Sequence, residues 1–132
     1  MYATFIHPIT GENRQVKIGK SWTLFLFGAF LGIPFFIRKM YSWGIFMCTL
    51  YLLYIITIIA TFTTGDETYG IFNSIIYLIF LGFAGYFLVY GNKMTAKYYL
   101  QQGFRIKSDN ELISKQVKIT WNFPDDVFIK SE

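Results

Sequence analysis

Two stretches of this chain run without a charged residue for the length of a membrane-crossing helix: Trp43 to Phe62, twenty residues, and Gly70 to Tyr90, twenty-one. A helix rises about 1.5 Å per residue, so each matches the roughly 30 Å of bilayer hydrocarbon. The short connection TTGDETYG between them predicts an antiparallel helical hairpin. Composition agrees. Hydrophobic residues make up 54% of the chain and charged residues 15%, against roughly 25% charged in soluble domains. A single domain of 132 residues has too large a surface for its volume to hide that much apolar area from water.

A third apolar stretch, Thr23 to Ile37 (TLFLFGAFLGIPFFI), is fifteen residues long, about 22 Å as a helix and too short to cross. Arg14, Lys17 and Lys20 precede it and Arg38 and Lys39 follow it. Cations at both ends predict that both ends stay on the cytoplasmic side. The segment is therefore expected to be re-entrant or membrane-buried, with Gly28, Gly32 and Pro34 supplying the turn. The Gly28 to Gly32 spacing also suits a helix-packing face, as do Gly82 and Gly85 in the last span.

All twelve Lys and Arg residues lie at or before Lys39 or at or after Lys93, whereas the hairpin loop holds Asp66 and Glu67. That distribution predicts two passes with both termini cytoplasmic. Trp22, Trp43 and Tyr90 stand at the ends of apolar runs as candidate interface anchors. Lys93, Lys97, Arg105 and Lys107, beyond the last span, are candidate lipid-headgroup contacts. The net charge of +4 is accounted for by these flanking cations, and no nucleic-acid recognition motif accompanies it, so no nucleic-acid partner is expected.

Outside the apolar stretches the tetrapeptide QVKI occurs twice, at residues 15–18 and 116–119. The first belongs to a predicted hairpin, with extended residues at Thr4 to His7, a turn around Pro8, Gly11 and Asn13, and a return strand at Gln15 to Ile18. Around the second, Val117, Ile119, Trp121 and Phe123 alternate with polar residues, as in a strand with one buried face. Both are expected in one small cytoplasmic sheet. Residues 91–103 read as a helix ended by Gly103, and Ser108 with Glu111 has the spacing of a capping box for a short helix through Lys115. The tail after Pro124 is expected to be loose.

The expected architecture is thus an α-helical integral membrane protein: a cytoplasmic β-hairpin over 1–22, the re-entrant or buried segment 23–37, transmembrane helices 43–62 and 70–90 joined by an external loop 63–69, and a cytoplasmic helix, strand and tail over 91–132. Catalysis needs convergent polar groups. His7 is the lone histidine, Asp125 and Asp126 are adjacent and point apart in an extended chain, and Cys48 is the single cysteine. No zinc spacing, phosphate-binding loop or nucleophile elbow is present. No catalytic, metal or cofactor site is expected. Within the spans, Asn73 is the candidate interhelical hydrogen-bonding residue.

The run HPITGENRQVKIGKSWTLFLFGAFLGIPFFIRK, followed by two apolar spans and GNKMTAKYYLQQGF, resembles small bacterial inner-membrane proteins grouped as domain of unknown function 2628. Gly19, Ser21, Trp22, Phe25, Phe27 and Gly28 match before the spans, and Asn92, Ala96, Leu100, Gly103 and Phe104 after them. Lys20 stands where that family often has an aromatic residue. The resemblance runs from His7 to Phe104 and implies a bacterial inner-membrane location, with no activity to carry over. These features together favour a non-enzymatic interaction, scaffold or assembly subunit whose partners are the bilayer and another membrane protein or a second copy. The alternative is a homo-oligomeric channel or small transporter. A cysteine introduced at Thr64 is expected to react with an impermeant thiol reagent from outside intact cells, and one at Ser108 is not; the opposite pattern refutes the topology.

Overall fold

The computed structural model describes residues 1–28 and 31–130. Ala29 and Phe30, which the predicted re-entrant segment includes, lie outside the described residues. The chain divides into two compact units, Met1–Ser21 with Val89–Glu132, and Trp22–Leu88.

In the second unit, the sequence's third apolar stretch forms two short helices, α1 (Trp22–Phe27) and α2 (Ile33–Ile37). Gly32 precedes α2 with φ +66°, and Leu31 is also left-handed at φ 51°. That conformation favours glycine because an L side chain there crowds its own carbonyl. Pro34 sits in the first turn of α2, where its missing N–H breaks no helical bond.

Helix α3 (Tyr41–Thr64) and helix α4 (Glu67–Gln101) follow. Both extend past the predicted spans, so most of the expected loop 63–69 is helical and only Gly65 and Asp66 connect them. Two caps placed back to back make this possible. Gly65, at φ +67°, closes α3 by donating its N–H to the Thr61 carbonyl at 3.1 Å. Asp66 opens α4 by accepting the Thr68 N–H at 2.9 Å. The same backbone hydrogen bond, assisted by the Thr68 hydroxyl, holds the Asp66 carboxyl below the usual carboxylate range.

By length and composition α3 and α4 are each able to cross a membrane, and only 6% and 11% of their most apolar windows is buried. Large apolar side chains are exposed around both, among them Ile45, Leu52, Ile56 and Ile59 on α3 and Ile71, Ile75, Leu78 and Leu81 on α4. Over residues 43–62 and 70–90 neither helix has the polar face that a helix on the surface of a water-soluble protein shows.

In the first unit, β1 (Tyr2–Ile6) and β2 (Asn13–Lys17) form an antiparallel hairpin, with Ala3 opposite Val16 and Phe5 opposite Arg14. Its turn is organised by His7, whose Nδ1 accepts the N–H groups of Ile9 at 3.3 Å and Thr10 at 3.2 Å. β1 also pairs antiparallel with β3 (Arg105–Lys107), and β3 pairs parallel with β4 (Phe128–Ile129), giving the order β2-β1-β3-β4. The sheet's buried residues Ala3, Phe5, Val16 and Ile106 pack with Ala96 and Tyr99 of α4 and with Val117 and Trp121 of the last helix, α5 (Glu111–Trp121).

That last helix corrects the expected strand at Val117 to Phe123. The second QVKI is helical, and the C-terminal contribution to the sheet comes from β3 and β4 instead. Asn110 starts α5, its side-chain oxygen accepting the Leu112 N–H at 2.9 Å and the Ile113 N–H at 3.4 Å. Asn110, rather than Ser108 of the expected capping box, is the N-cap, and the helix runs to Trp121 rather than stopping near Lys115. Ile113, Val117 and Trp121 recur every four residues and face the core, whereas Ile119, which the strand reading placed inward, is 78% exposed. The tail past Pro124 is a 3-10 turn and β4 rather than loose chain, and the Lys118 ammonium pairs with Asp125 while lying 5.3 Å from the Phe128 ring.

The two readings of the second QVKI separate on paired variants. Val117→Gln places an amide in the core and is expected to destabilise the chain by about 2 kcal/mol or more. Ile119→Gln is expected to change stability by less than about 0.5 kcal/mol. Thermal unfolding of the intact protein checks both, and a large loss at Ile119 restores the strand.

Candidate functional site

Within the second unit the turn before α2 comes close to the backbone of the first turn of α3. A methyl group placed on Gly32 would lie 2.5 Å from the Gly44 carbonyl oxygen, and one on Gly44 would lie 2.9 Å from the Phe36 ring. Gly28 is equally constrained, since a methyl there would meet the Leu24 carbonyl oxygen at 2.2 Å. These contacts seat Phe35 of α2 against Trp43 of α3 and Phe87 of α4, with ring centroids 6.4 Å and 4.8 Å away. Phe83 and Phe46 complete the cluster, each ring meeting its neighbours in edge-to-face or offset geometry.

Further toward the α3–α4 turn, polar side chains meet across the two helices. The Thr57 hydroxyl lies 3.2 Å from the Asn73 amide oxygen and 2.8 Å from the Tyr54 carbonyl. A hydroxyl carries one hydrogen, so exchanging the amide's O and N lets Thr57 donate to Tyr54 and accept from Asn73. Beside this contact is a groove of about 430 Å³ lined by Tyr54, Asn73, Ser74, Tyr77 and Leu78. The Ser74 hydroxyl donates to Gly70 at 3.0 Å. Among the described residues, no hydrogen bond is made by the Tyr77 or Tyr54 hydroxyls, and Asn73 makes none besides that to Thr57.

In the first unit, the Arg14 guanidinium lies 4.9 Å from the Tyr99 ring centre and 4.7 Å from that of Phe104, and its Nε and Nη2 both reach Glu12. A cation between two aromatic faces ties β2 to the end of α4. Asn92 donates its amide to the Gly19 carbonyl at 3.0 Å, fixing the chain as it leaves β2.

No family model, curated protein or solved structure matches this chain.

Of the four cations read as headgroup contacts, Arg105 turns back to the Phe104 carbonyl at 2.9 Å and the Leu100 carbonyl at 3.5 Å, closing α4. Lys107 pairs with Asp109 at 2.8 Å. Lys97 is exposed and Lys93 half-buried on α4. Trp22 and Tyr90 are exposed, whereas Trp43 is half-buried inside the aromatic cluster. Of the helix-packing glycines, Gly28 and Gly32 are consumed within the unit, and a methyl group on Gly82 or Gly85 would meet nothing within 4 Å among the described residues. Among the described residues, no three of His, Cys, Asp and Glu gather as a metal ion would require.

Sequence reading missed Gly44 and the clamp on Arg14. Gly44 lies inside a continuous apolar helix, and only its contact with Gly32 distinguishes it. The spacing of Phe83 and Phe87, four residues apart on one helix face, did carry a signal for the aromatic cluster.

Gly32→Ala adds a methyl group against backbone at a left-handed position and is expected to cost about 2 kcal/mol or more. Gly82→Ala, in open space on a helix, is expected to leave the isolated chain as stable or stabilise it by up to about 1 kcal/mol. Thermal unfolding of the purified chain separates them, and equal effects refute the close contact.

Proposed function

We propose that this chain is a non-enzymatic integral membrane protein that acts as an interaction or assembly subunit, with both termini on the cytoplasmic side of a bacterial inner membrane. The observation that carries the reading is that the most apolar windows of two long helices are only 6% and 11% buried, with large apolar side chains exposed around both. In water such a surface drives aggregation, since it far exceeds the few hundred Å² that soluble monomers leave uncovered. In hydrocarbon it costs nothing, and the helices satisfy their own backbone hydrogen bonds.

The sheet supports the placement of the termini, because β1 near one end and β4 near the other belong to it together. Two ends held in one sheet lie on one side of any bilayer. The acidic turn at Asp66 and Glu67 and the cations outside the spans support the orientation. The family resemblance supports the bacterial inner membrane. Gly82 and Gly85, open on α4, favour a partner helix, and the absence of Asp, Glu, Lys, Arg and His from the spans disfavours catalysis within them.

A homo-oligomeric channel is the second reading, favoured by the polar side chains of Tyr54, Asn73 and Tyr77 that line one groove. Ion or solute flux through vesicles containing the purified chain would support it over the first. For the first reading, alkaline carbonate is expected to leave the protein in native membranes. Mild crosslinking there should give an assembly heavier than the 15.4 kDa chain. Release into the supernatant, or a lone monomer after crosslinking, overturns it.

A further inference from the structure

The amide and phenol groups set in the mostly apolar groove beside Asn73 pose a problem that lipid cannot solve. Taking the membrane reading above as the premise, Asn73 lies three residues inside the span Gly70 to Tyr90 and Tyr77 seven residues inside it, about 5 Å and 10 Å from its outer end. Tyr54 lies eight residues from Phe62 at the outer end of the other span, a depth of about 12 Å. Hydrocarbon tails offer neither donors nor acceptors, and a polar group left facing them is penalised. The groove thus demands a cover that forms hydrogen bonds. Water from the headgroup region reaches the Asn73 end more easily than the Tyr77 and Tyr54 end.

A second observation lies on the same helix face. Ser74, Leu78, Leu81 and Gly85 follow one another at spacings of four, three and four residues, which is a single stripe along a helix. All four are exposed, and a methyl group on Gly85 would meet nothing within 4 Å. The stripe therefore has hydrogen-bonding groups at its outer end, apolar side chains in the middle and a glycine that admits close backbone approach at its inner end.

We propose that a second copy of this chain docks along this stripe, the Asn73 and Tyr77 side chains of the two copies completing each other's hydrogen bonds in the groove. The chemistry favours self-association because the patch is self-complementary. An amide is both donor and acceptor, a phenol likewise, and a two-fold interface brings each patch onto its own duplicate. The proposal identifies the partner that the assembly reading left open, and it rests on that reading.

Full-length chain carrying donor or acceptor dyes at its carboxyl terminus, reconstituted into phosphatidylethanolamine and phosphatidylglycerol vesicles, gives the test. Energy transfer is expected to follow a saturable association curve as the protein-to-lipid ratio rises. Tyr77→Phe and Asn73→Leu should weaken association by roughly threefold to thirtyfold. Gly85→Leu should weaken it too, although it improves the helix, so misfolding would not explain the loss. Thr57→Val removes the hydroxyl's intrachain bonds to Asn73 and to the Tyr54 carbonyl and should leave association at the wild-type level or stronger. Transfer no higher than random proximity overturns the proposal, as does indifference to Tyr77→Phe and Gly85→Leu, or a Thr57→Val loss equal to that of Asn73→Leu. Carbonate washing of the same vesicles separates the two layers of the argument: a retained but monomeric chain overturns only the docking, and a released chain overturns the membrane reading with it.

Discussion

Two long helices whose most apolar windows are only 6% and 11% buried set the terms for everything else in this chain. Apolar area of that extent has to be covered, and the chain itself covers little of it: an aromatic cluster of Phe35, Trp43, Phe83 and Phe87 near one end and a Thr57 to Asn73 contact nearer the other. What the helices do supply is internal backbone hydrogen bonding throughout, with caps at the turn where it would otherwise fail. Gly65 and Asp66 close one helix and open the next within two residues, so the reversal leaves little irregular backbone. The economy of that turn and the bareness of the helix faces both suit a hydrocarbon solvent.

Much of this was legible in the sequence because length and charge are additive properties that need no knowledge of contacts. The two long apolar helices follow from counting, and the hairpin at the N-terminus follows from its turn-forming residues. The second QVKI marks where counting fails. The same four residues are largely β-strand at 15–18 and helical at 116–119, so their intrinsic preference decides nothing. The outcome at 116–119 is set by Asn110 six residues upstream, which caps a helix, and by Ile113, Val117 and Trp121, which give that helix a buried stripe. Alternation over Val117 to Phe123 and the four-residue period overlap at Val117 and Trp121. Only the burial of Ile119 distinguishes them, and that depends on tertiary structure.

The candidate site was legible to a lesser degree, and for a related reason. A glycine in an apolar run announces close approach without naming what approaches. Gly32 meets Gly44 inside its own unit, while a methyl group on Gly82 or Gly85 would meet nothing within 4 Å among the described residues, yet these glycines carry the same sequence signal. Cations behave likewise. Arg105 is committed to helix-terminal carbonyls and Lys107 to Asp109, leaving Lys93 and Lys97 as the cations of that group with no such bond here to give up before meeting a phosphate. Asn73 was identifiable because an amide in a long apolar run is rare and costly, and its contact with Thr57 needs only the antiparallel register that the short turn imposes.

The strand order has a consequence in time. β1 finds β2 within the first seventeen residues of the chain, but its other neighbour, β3, lies about a hundred residues later, and such distant pairing is slow to form. A ribosome must therefore deliver both long helices before the first-made strand acquires its second partner. Until then one edge of β1 stays open to strange strands, and a chain cut short after α4 would carry that open edge permanently.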